Sequence, residues 1–342
     1  SLYVGTGGNI QFEGATADAY ETTLAVTEPT ADRTITLPDS SGTVALTSDI
    51  PGTDLSLDST PQLGGNLESN GNNIKMADGD EIRLGSGLKK QEAIRKSGRG
   101  TARDRIDMLL DEESFIEIDS FVTHRTVDHN MFLHQTLGDG VVAGHGTIDG
   151  RRVYCFAQDF SVHGGSMGET HARKIAKVVE MAERAKVPII GMWDGGGQRA
   201  HDGISGLAGT GELLDRLVQC SGRVPIISLV LGPVVGVSSL AAGLADFTIL
   251  GEEHGQLFLS SPLETPEVID GEIDASGLGG ASLHASRSGI ACLIADDDED
   301  ACEMAAEILG FLPDHNGAIA PFIETADPVD RLNPELEALV PD

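Results

Sequence analysis

Three glycine-rich stretches mark where this 342-residue chain could do chemistry. They are Val162-His163-Gly164-Gly165-Ser166-Met167-Gly168, Trp193-Asp194-Gly195-Gly196-Gly197-Gln198-Arg199 and Leu231-Gly232-Pro233-Val234-Val235-Gly236. Glycine has no Cβ, so it tolerates φ > 0 and lets a ligand come close to the backbone. Amides left bare where a turn enters a helix point outward, and the helix dipole favours negative charge there. Two such amides can hold an oxyanion, and each donor is worth about 3 kcal/mol in rate. An enolate oxygen formed from a thioester carries the right kind of charge. None of the turns has the spacing of a P-loop or a dinucleotide fingerprint. A lone Gly-Gly-Gly is equally a tight turn packing a strand against a helix.

The surrounding pattern supplies elements to position these turns. Residues 152–160 read as a strand. Glu169–Ala185 reads as an amphipathic helix, with Ala172, Ile175, Val178, Val179 and Ala182 on one face. Residues 187–193 read as a fully buried strand and 204–221 as a helix. Then come a strand at 224–231, a short helix at 237–244 and a strand at 246–250. Strands separated by helices imply parallel pairing through right-handed crossovers, hence an α/β fold. Each glycine-rich turn then follows a strand, and each is expected to open a helix.

Residues 1–87 have a different character. They are rich in Gly, Thr, Ser, Asp and Asn and poor in Lys and Arg. Short alternating runs (Asn9-Ile10-Gln11-Phe12, Thr34-Ile35-Thr36-Leu37, Thr43-Val44-Ala45-Leu46) are punctuated by turn signals at 38–42, 64–66 and 69–73. The expectation is a short β-rich, turn-rich segment at 1–87 and the main domain at 88–342. Residues 34–46 and 60–74 resemble repeat units of phage tail-fibre and other virion stalk proteins, which complete their β core by trimerising. A low-complexity linker is the bland alternative.

Composition narrows the function classes. The net charge of −31 argues against binding a nucleic-acid backbone or an anionic membrane. No apolar run is long enough to span a membrane. No signal peptide opens the chain, which starts at Ser1 rather than Met, as a fragment or processed product does. The four cysteines, Cys155, Cys220, Cys292 and Cys302, contain no CxxC pair, and free thiols in a cytoplasmic protein are expected. His124, His129 and His134 recur at a spacing that suits neither a helix face nor a strand face. Surface histidines are expected there, and no metal. The acidic run at residues 296–300 is read as the charged start of a helix at 301–312.

The ordered set of motifs adds a resemblance. Thr101-Ala102-Arg103-Asp104-Arg105-Ile106-Asp107-Met108-Leu109-Leu110-Asp111 is followed by Gly138-Asp139-Gly140-Val141-Val142 and by Gly146-Thr147-Ile148-Asp149-Gly150-Arg151. Phe156-Ala157-Gln158-Asp159-Phe160, the three glycine-rich turns, Asp246-Phe247 and Leu278-Gly279-Gly280-Ala281-Ser282-Leu283-His284 complete the series. Over about 230 residues it resembles the β subunits of propionyl-CoA and related biotin-dependent acyl-CoA carboxylases. The resemblance implies a crotonase-like superhelix of ββα units and carboxyl transfer between carboxybiotin and the α carbon of an acyl-CoA. It implies biotin on a partner carrier protein, a biotin carboxylase subunit, a carboxyltransferase C-terminal half and a homo-oligomer. It implies no general base of the chain's own. The family's enolate-holding Gly-Gly falls on Gly196 and Gly197, and its CoA-side Gly-Gly on Gly164 and Gly165. Gln198 and Gly236 are further acyl-CoA candidates. The basic run at 95–105, with Arg103 and Arg105, is a candidate for the CoA phosphates.

Departures from the family pattern bear on the substrate. Gly195 stands where the family has Ser, Gln198 where it has Ala, and Val237 where it has Gly. The family continues into a second crotonase-like domain that supplies the biotin side, whereas this chain stops at Asp342. Two rival functions remain at this stage. One is a virion tail or adhesion protein carrying an inactive crotonase-like module. The other is a crotonase-type hydratase or hydrolase, needing a carboxylate over the thioester, with Glu169 and Glu212 as candidates.

Overall fold

The computed structural model describes residues 88–262, 265, 273–322, 324–328 and 330–339, and four short strands nearer the N-terminus. The chain divides into two units, Ser1–Pro61 and Gln62–Asp342. In the first unit β1 (Ile10–Phe12) pairs antiparallel with β2 (Thr22–Leu24). The run at 9–12 is thus a strand, while those at 34–37 and 43–46 lie outside the described residues.

In the second unit β3 (Asn73–Lys75) pairs antiparallel with β4 (Glu81–Arg83). The domain proper begins with α1 (Leu88–Lys96), α2 (Ala102–Leu109) and β5 (Ile116–Glu117). It continues through β6 (Val141–Ile148), β7 (Arg151–Gln158), α3 (Glu169–Ala185), β8 (Ile189–Gly195), α4 (Gly203–Cys220) and β9 (Ile226–Val235). Then follow α5 (Val237–Ala242), β10 (Phe247–Gly251), β11 (Gln256–Phe258), α6 (Ala275–Gly279), α7 (Ala281–Leu283), β12 (Leu293–Ala295) and α8 (Asp298–Phe311).

The sheet runs β12-β10-β9-β8-β7-β6-β5, and β11 adds to β9 beyond the end of β10. β5, β6 and β7 pair antiparallel, and every pair from β7 onward is parallel. An antiparallel hairpin followed by a helix and a parallel strand is the expected ββα unit. β8 is buried at every position, as a parallel strand covered on both faces should be. Its alternate residues divide between two cores. Ile189 and Trp193 pack with α3 and α4 through Ile175, Val179, Leu213 and Leu217. Ile190 and Met192 pack with α2 and α8 through Ile106, Ala305 and Leu309. Each such side chain contributes about 1.5–3 kcal/mol by leaving water.

Local signals explain the helix ends. Thr101 and Asp104 form a capping box on α2. α3 spans the residues its periodicity indicated and stops at Lys186, whose φ of +56° is left-handed, just before Pro188. Asp297 caps α8 by accepting from the Asp300 amide, so the acidic run is a helix start, as its sequence suggested. Two expectations need correction. β9 runs through Val235, so residues 231–235 are strand rather than turn. β11 extends the ladder there, and Pro233 is tolerated beside a register shift. β8 likewise reaches Gly195, and α4 starts only at Gly203. The Gly195–Gly197 stretch therefore does not open a helix. Among the described residues no helix is long and apolar enough to cross a membrane.

Candidate functional site

The three glycine turns leave the carboxyl ends of β7, β8 and β9, neighbours in the sheet. Ligands in α/β sheets gather at this edge. The first turn carries three consecutive left-handed residues, His163 (φ +50°), Gly164 (φ +64°) and Gly165 (φ +66°). A Cβ on Gly165 would stand 2.2 Å from the Asp194 carbonyl oxygen, so the turn needs glycine there. A Cβ on Gly164 would meet nothing, so that residue faces open space.

The first two turns are zipped together by backbone. Gly196 N donates to Gly164 O at 2.9 Å, Met167 N to Gly197 O at 2.7 Å, and Arg199 N to Met167 O at 2.9 Å. The second turn also rests on β9, because a Cβ on Gly197 (φ +89°) would lie 2.9 Å from the Val235 carbonyl oxygen. The chain then turns at Gly236 (φ +65°), whose amide donates to Phe258 O at 2.8 Å, and α5 begins with Val237. The Gly197 and Val237 amides have no acceptor among the described residues.

This geometry redistributes the roles expected of the glycines. Gly164, Gly165, Gly196 and Gly197 come together. The Gly196 amide, however, is engaged by Gly164, which leaves Gly197 as the bare donor of the pair. Val237 was noted in the sequence only as a bulky departure, yet its amide at the start of α5 is bare as well. The start of α3 is not open to an anion either, since Asp202 Oδ2 already accepts from Glu169 N at 2.7 Å. Gln198 is engaged within the fold. Its Nε2 donates to Met167 O at 3.0 Å and its Oε1 accepts from Thr210 Oγ1 at 2.7 Å, so both ends are used within the fold.

The basic run also needs correction. Arg105 is 1% exposed and bridges Asp194 Oδ2 at 2.9 Å and Asp298 Oδ2 at 2.7 Å, with a further bond to Leu231 O. Arg103 pairs with Glu117 at 2.7 Å. Arg99 pairs with Asp194 at 3.0 Å and lies over the Phe160 ring, and Arg95 pairs with Asp104 at 2.7 Å. Arg105 therefore faces inward as a structural cation, because a buried carboxylate such as Asp194 needs a partner, while Arg103 is half-buried against Glu117. Lys89, Lys90 and Lys96 remain exposed on α1.

Beneath the turns lies a buried polar chain. Arg199 Nη1 donates to Asp139 Oδ1 at 2.6 Å and Nη2 to Ser166 O at 2.8 Å. His171 N donates to Asp139 Oδ2 at 3.0 Å, and its Nδ1 lies 3.0 Å from Asp139 O. His171 Nε2 is 3.2 Å from Gln158 Nε2, and Gln158 Oε1 accepts from Asp194 N at 3.0 Å. Burial pushes the His171 imidazole down to about 3, so the ring is neutral. Sequence reading did not single out Asp139, Gln158, His171 or Arg199, although Asp139, Gln158 and Arg199 sat inside the quoted motifs.

The remaining candidates are elsewhere or occupied. Glu169 pairs with Arg125 at 2.6 Å and Arg173 at 2.9 Å, and Glu212 pairs with Arg173 at 3.2 Å. Neither is a free carboxylate for hydration. His129 and His134 are exposed as expected, but His124 is 1% exposed, tucked edge-on to His163 with its Nε2 near His134 O. All four cysteines are free, and Cys155, Cys220 and Cys302 are buried.

Comparison with known proteins fits this architecture. The carboxyl transferase domain model matches residues 93–342. The propionyl-CoA carboxylase beta chain of Roseobacter denitrificans is 42% identical over 260 residues, covering 76% of this chain and 51% of that protein. The methylmalonyl-CoA decarboxylase subunit alpha of Veillonella parvula is 40% identical over 262 residues, covering 77% of this chain and 52% of that one. Among solved structures, a transcarboxylase 12S hexamer with methylmalonyl-coenzyme A and methylmalonic acid bound is similar with a TM-score of 0.71 at 37% identity. That match covers 75% of this chain and 50% of that chain. The beta subunit of P. aeruginosa geranyl-CoA carboxylase gives a TM-score of 0.56 at 27% identity, covering 66% of this chain and 41% of that chain. The fold is crotonase-like, as the motif series implied. The chain spans about half the length of the curated relatives it matches.

Proposed function

This chain belongs to the carboxyl transferase domain family, and from that premise we propose that it is the acyl-CoA-binding half of a biotin-dependent acyl-CoA carboxyltransferase. The observation that carries the reading is the pair of bare amides, Gly197 N and Val237 N, at the carboxyl edge of the parallel strands. A thioester carbonyl seated there accepts both hydrogen bonds. Once a base outside this chain, which the family resemblance implies to be the biotin itself, took the α proton, charge would move onto that oxygen, and fixed amides would stabilise it without reorganising. Gly164 leaves open space on the neighbouring turn for the CoA side of the thioester. Lys89, Lys90 and Lys96 take over the phosphate-binding role first assigned to Arg103 and Arg105.

Biotin on a carrier protein would supply the activated carboxyl group. This chain's amides fit the thioester side of that reaction, and the biotin side belongs to a carboxyltransferase C-terminal half. Exposed Leu240, Leu244, Leu259 and Ile290 around an apolar cavity of about 630 Å³ support contact with such a half or with a second copy of the chain. Unpaired buried thiols support a cytoplasmic, reducing setting. The division into a β-rich segment at 1–87 and a domain at 88–342 is part of this reading, supported by the antiparallel pairs β1–β2 and β3–β4, although β3–β4 falls in the same compact unit as the domain.

Calorimetric titration of the purified chain with propionyl-CoA tests the reading. Saturable binding is expected, weakened at least tenfold in a folded Gly197→Val variant. No binding of either propionyl-CoA or acetyl-CoA would remove the thioester site.

A further inference from the structure

The polar chain beneath the turns has a direction. His171 Nδ1 faces a carbonyl, Asp139 O, which can only accept, so Nδ1 carries the proton. Nε2 is then an acceptor and must receive from the Gln158 amide nitrogen. That fixes the Gln158 oxygen toward the Asp194 amide, the peptide that enters the Gly195–Gly197 turn. The protonation state of one histidine thus sets the orientation of a glutamine amide and, through it, the backbone ahead of Gly197. The ring is 0% exposed and Gln158 is 0% exposed, so no water competes with either bond. Hydrogen bonds aligned in one sense strengthen one another in a low-dielectric interior.

The other end of the chain grips the same turns from the far side. Arg199 is 2% exposed, holds Asp139 and donates to Ser166 O, while its own amide donates to Met167 O. Met167 N in turn holds Gly197 O. The two turns are therefore fixed on both flanks, with Asp139 as the common anchor. Asp139 accepts this at φ +48°, an unfavourable conformation for a non-glycine residue. Such strain persists where neighbouring bonds over-determine it.

We infer that Asp139, His171, Gln158 and Arg199 are positioning residues, a proton-ordered relay that aims the Gly197 amide at the thioester oxygen. The inference rests on the proposed oxyanion role of Gly197. With the His171 imidazole held down at about 3, the relay keeps one polarity across the whole neutral range.

The test uses the full chain and two ligands, CoA itself and a nitronate analogue of the propionyl-CoA enolate. The preference for the nitronate over CoA reads the acyl end of the site, whose charged part is held by the oxyanion donors. In Gln158→Met, which keeps the side-chain length and loses both bonds, that preference should fall at least tenfold with CoA affinity within twofold of the original. Gln158→Glu keeps the acceptor for Asp194 N and removes the donor to His171. Corrected for the ligand's own nitro–nitronate equilibrium, its preference should become pH-dependent between pH 5 and 8, which the original chain's should not. A Gln158→Met variant that retains the preference within twofold overturns the inference and leaves the oxyanion reading standing. If the original chain shows no preference, the oxyanion reading fails. Amide hydrogen exchange then decides the relay separately, with at least tenfold faster exchange at residues 195–197 in Gln158→Met supporting it and unchanged exchange overturning it.

Discussion

A Cβ at Gly195 would stand 2.4 Å from the Gly165 carbonyl oxygen and 2.9 Å from Gln158 Oε1. The serine that the family pattern has at this position does not fit the turns as they pack here. Gly195→Ser should therefore cost about 1–3 kcal/mol, the usual range for overpacking. Urea unfolding followed by the sole tryptophan, Trp193, reads this, and an unshifted midpoint would mean the turns part freely. Arg105 makes a second test. Arg105→Met leaves Asp194 and Asp298 without their shared cation, and breaking a buried pair costs about 3–5 kcal/mol. CoA affinity of the folded variant should stay within twofold, whereas a phosphate-binding arginine would lose far more. The sequence could not show this inward turn, because a run of arginines has the same composition whether it faces phosphate or buried carboxylates. The partners Asp194 and Asp298 lie far away in the chain. The Gly-Gly motifs were legible as bare backbone, but which amide was left free depended on contacts between turns.

α3 carries two buried bases whose lowered pKa values make stability rise with pH in two separate windows. His171 is neutral in the fold down to about 3, against 6.5 when exposed. As pH falls through that window the unfolded chain binds the proton first, so stability is lost by roughly 1.4 kcal/mol per pH unit. Lys174 Nζ donates to Val141 O at 2.7 Å, and burial pulls it from 10.5 down to about 8. Between those values the unfolded chain holds a proton the fold has released, so stability rises as pH goes from about 8 to about 10.5. Unfolding free energies measured across pH should show the alkaline rise disappear in Lys174→Met and the acid loss shrink in His171→Asn. Identical pH slopes in the original chain and the variants would contradict the assignments. The helix itself was fully legible, because its apolar period and the stop before Pro188 are local. Strand ends were less so. β8 and β9 extend into the glycine turns through ladder bonds with each other and with β11, which no local signal marks.

At the scale of the whole molecule, the motif series pointed to the right family because it samples, in order, the carboxyl ends of β7, β8 and β9 together with the hairpin and helices around them. The substitutions at Gly195, Gln198 and Val237 now have structural settings. Gly195 is packed between turns, Gln198 is bonded on both ends, and Val237 opens α5 with an amide that has no acceptor among the described residues. On the proposed reading the chain holds the thioester side of the reaction centre. By itself it should bind acyl-CoA and show no carboxyl transfer. Mixing it with the C-terminal half of a related carboxyltransferase, together with a carboxylated biotin carrier, should restore turnover measured by carboxylated product. Turnover by this chain without that half would contradict the division.

The central claim is that the thioester oxygen sits on the Gly197 and Val237 amides. The most direct measurement is nuclear magnetic resonance of the chain labelled with ¹⁵N at glycine and valine, titrated with the nitronate analogue and, separately, with CoA. The account expects the Gly197 and Val237 amide protons to move downfield with the nitronate and not with CoA, while Gly196, bonded to Gly164 O, stays in place. A downfield shift at Gly196 with Gly197 and Val237 unmoved would contradict it.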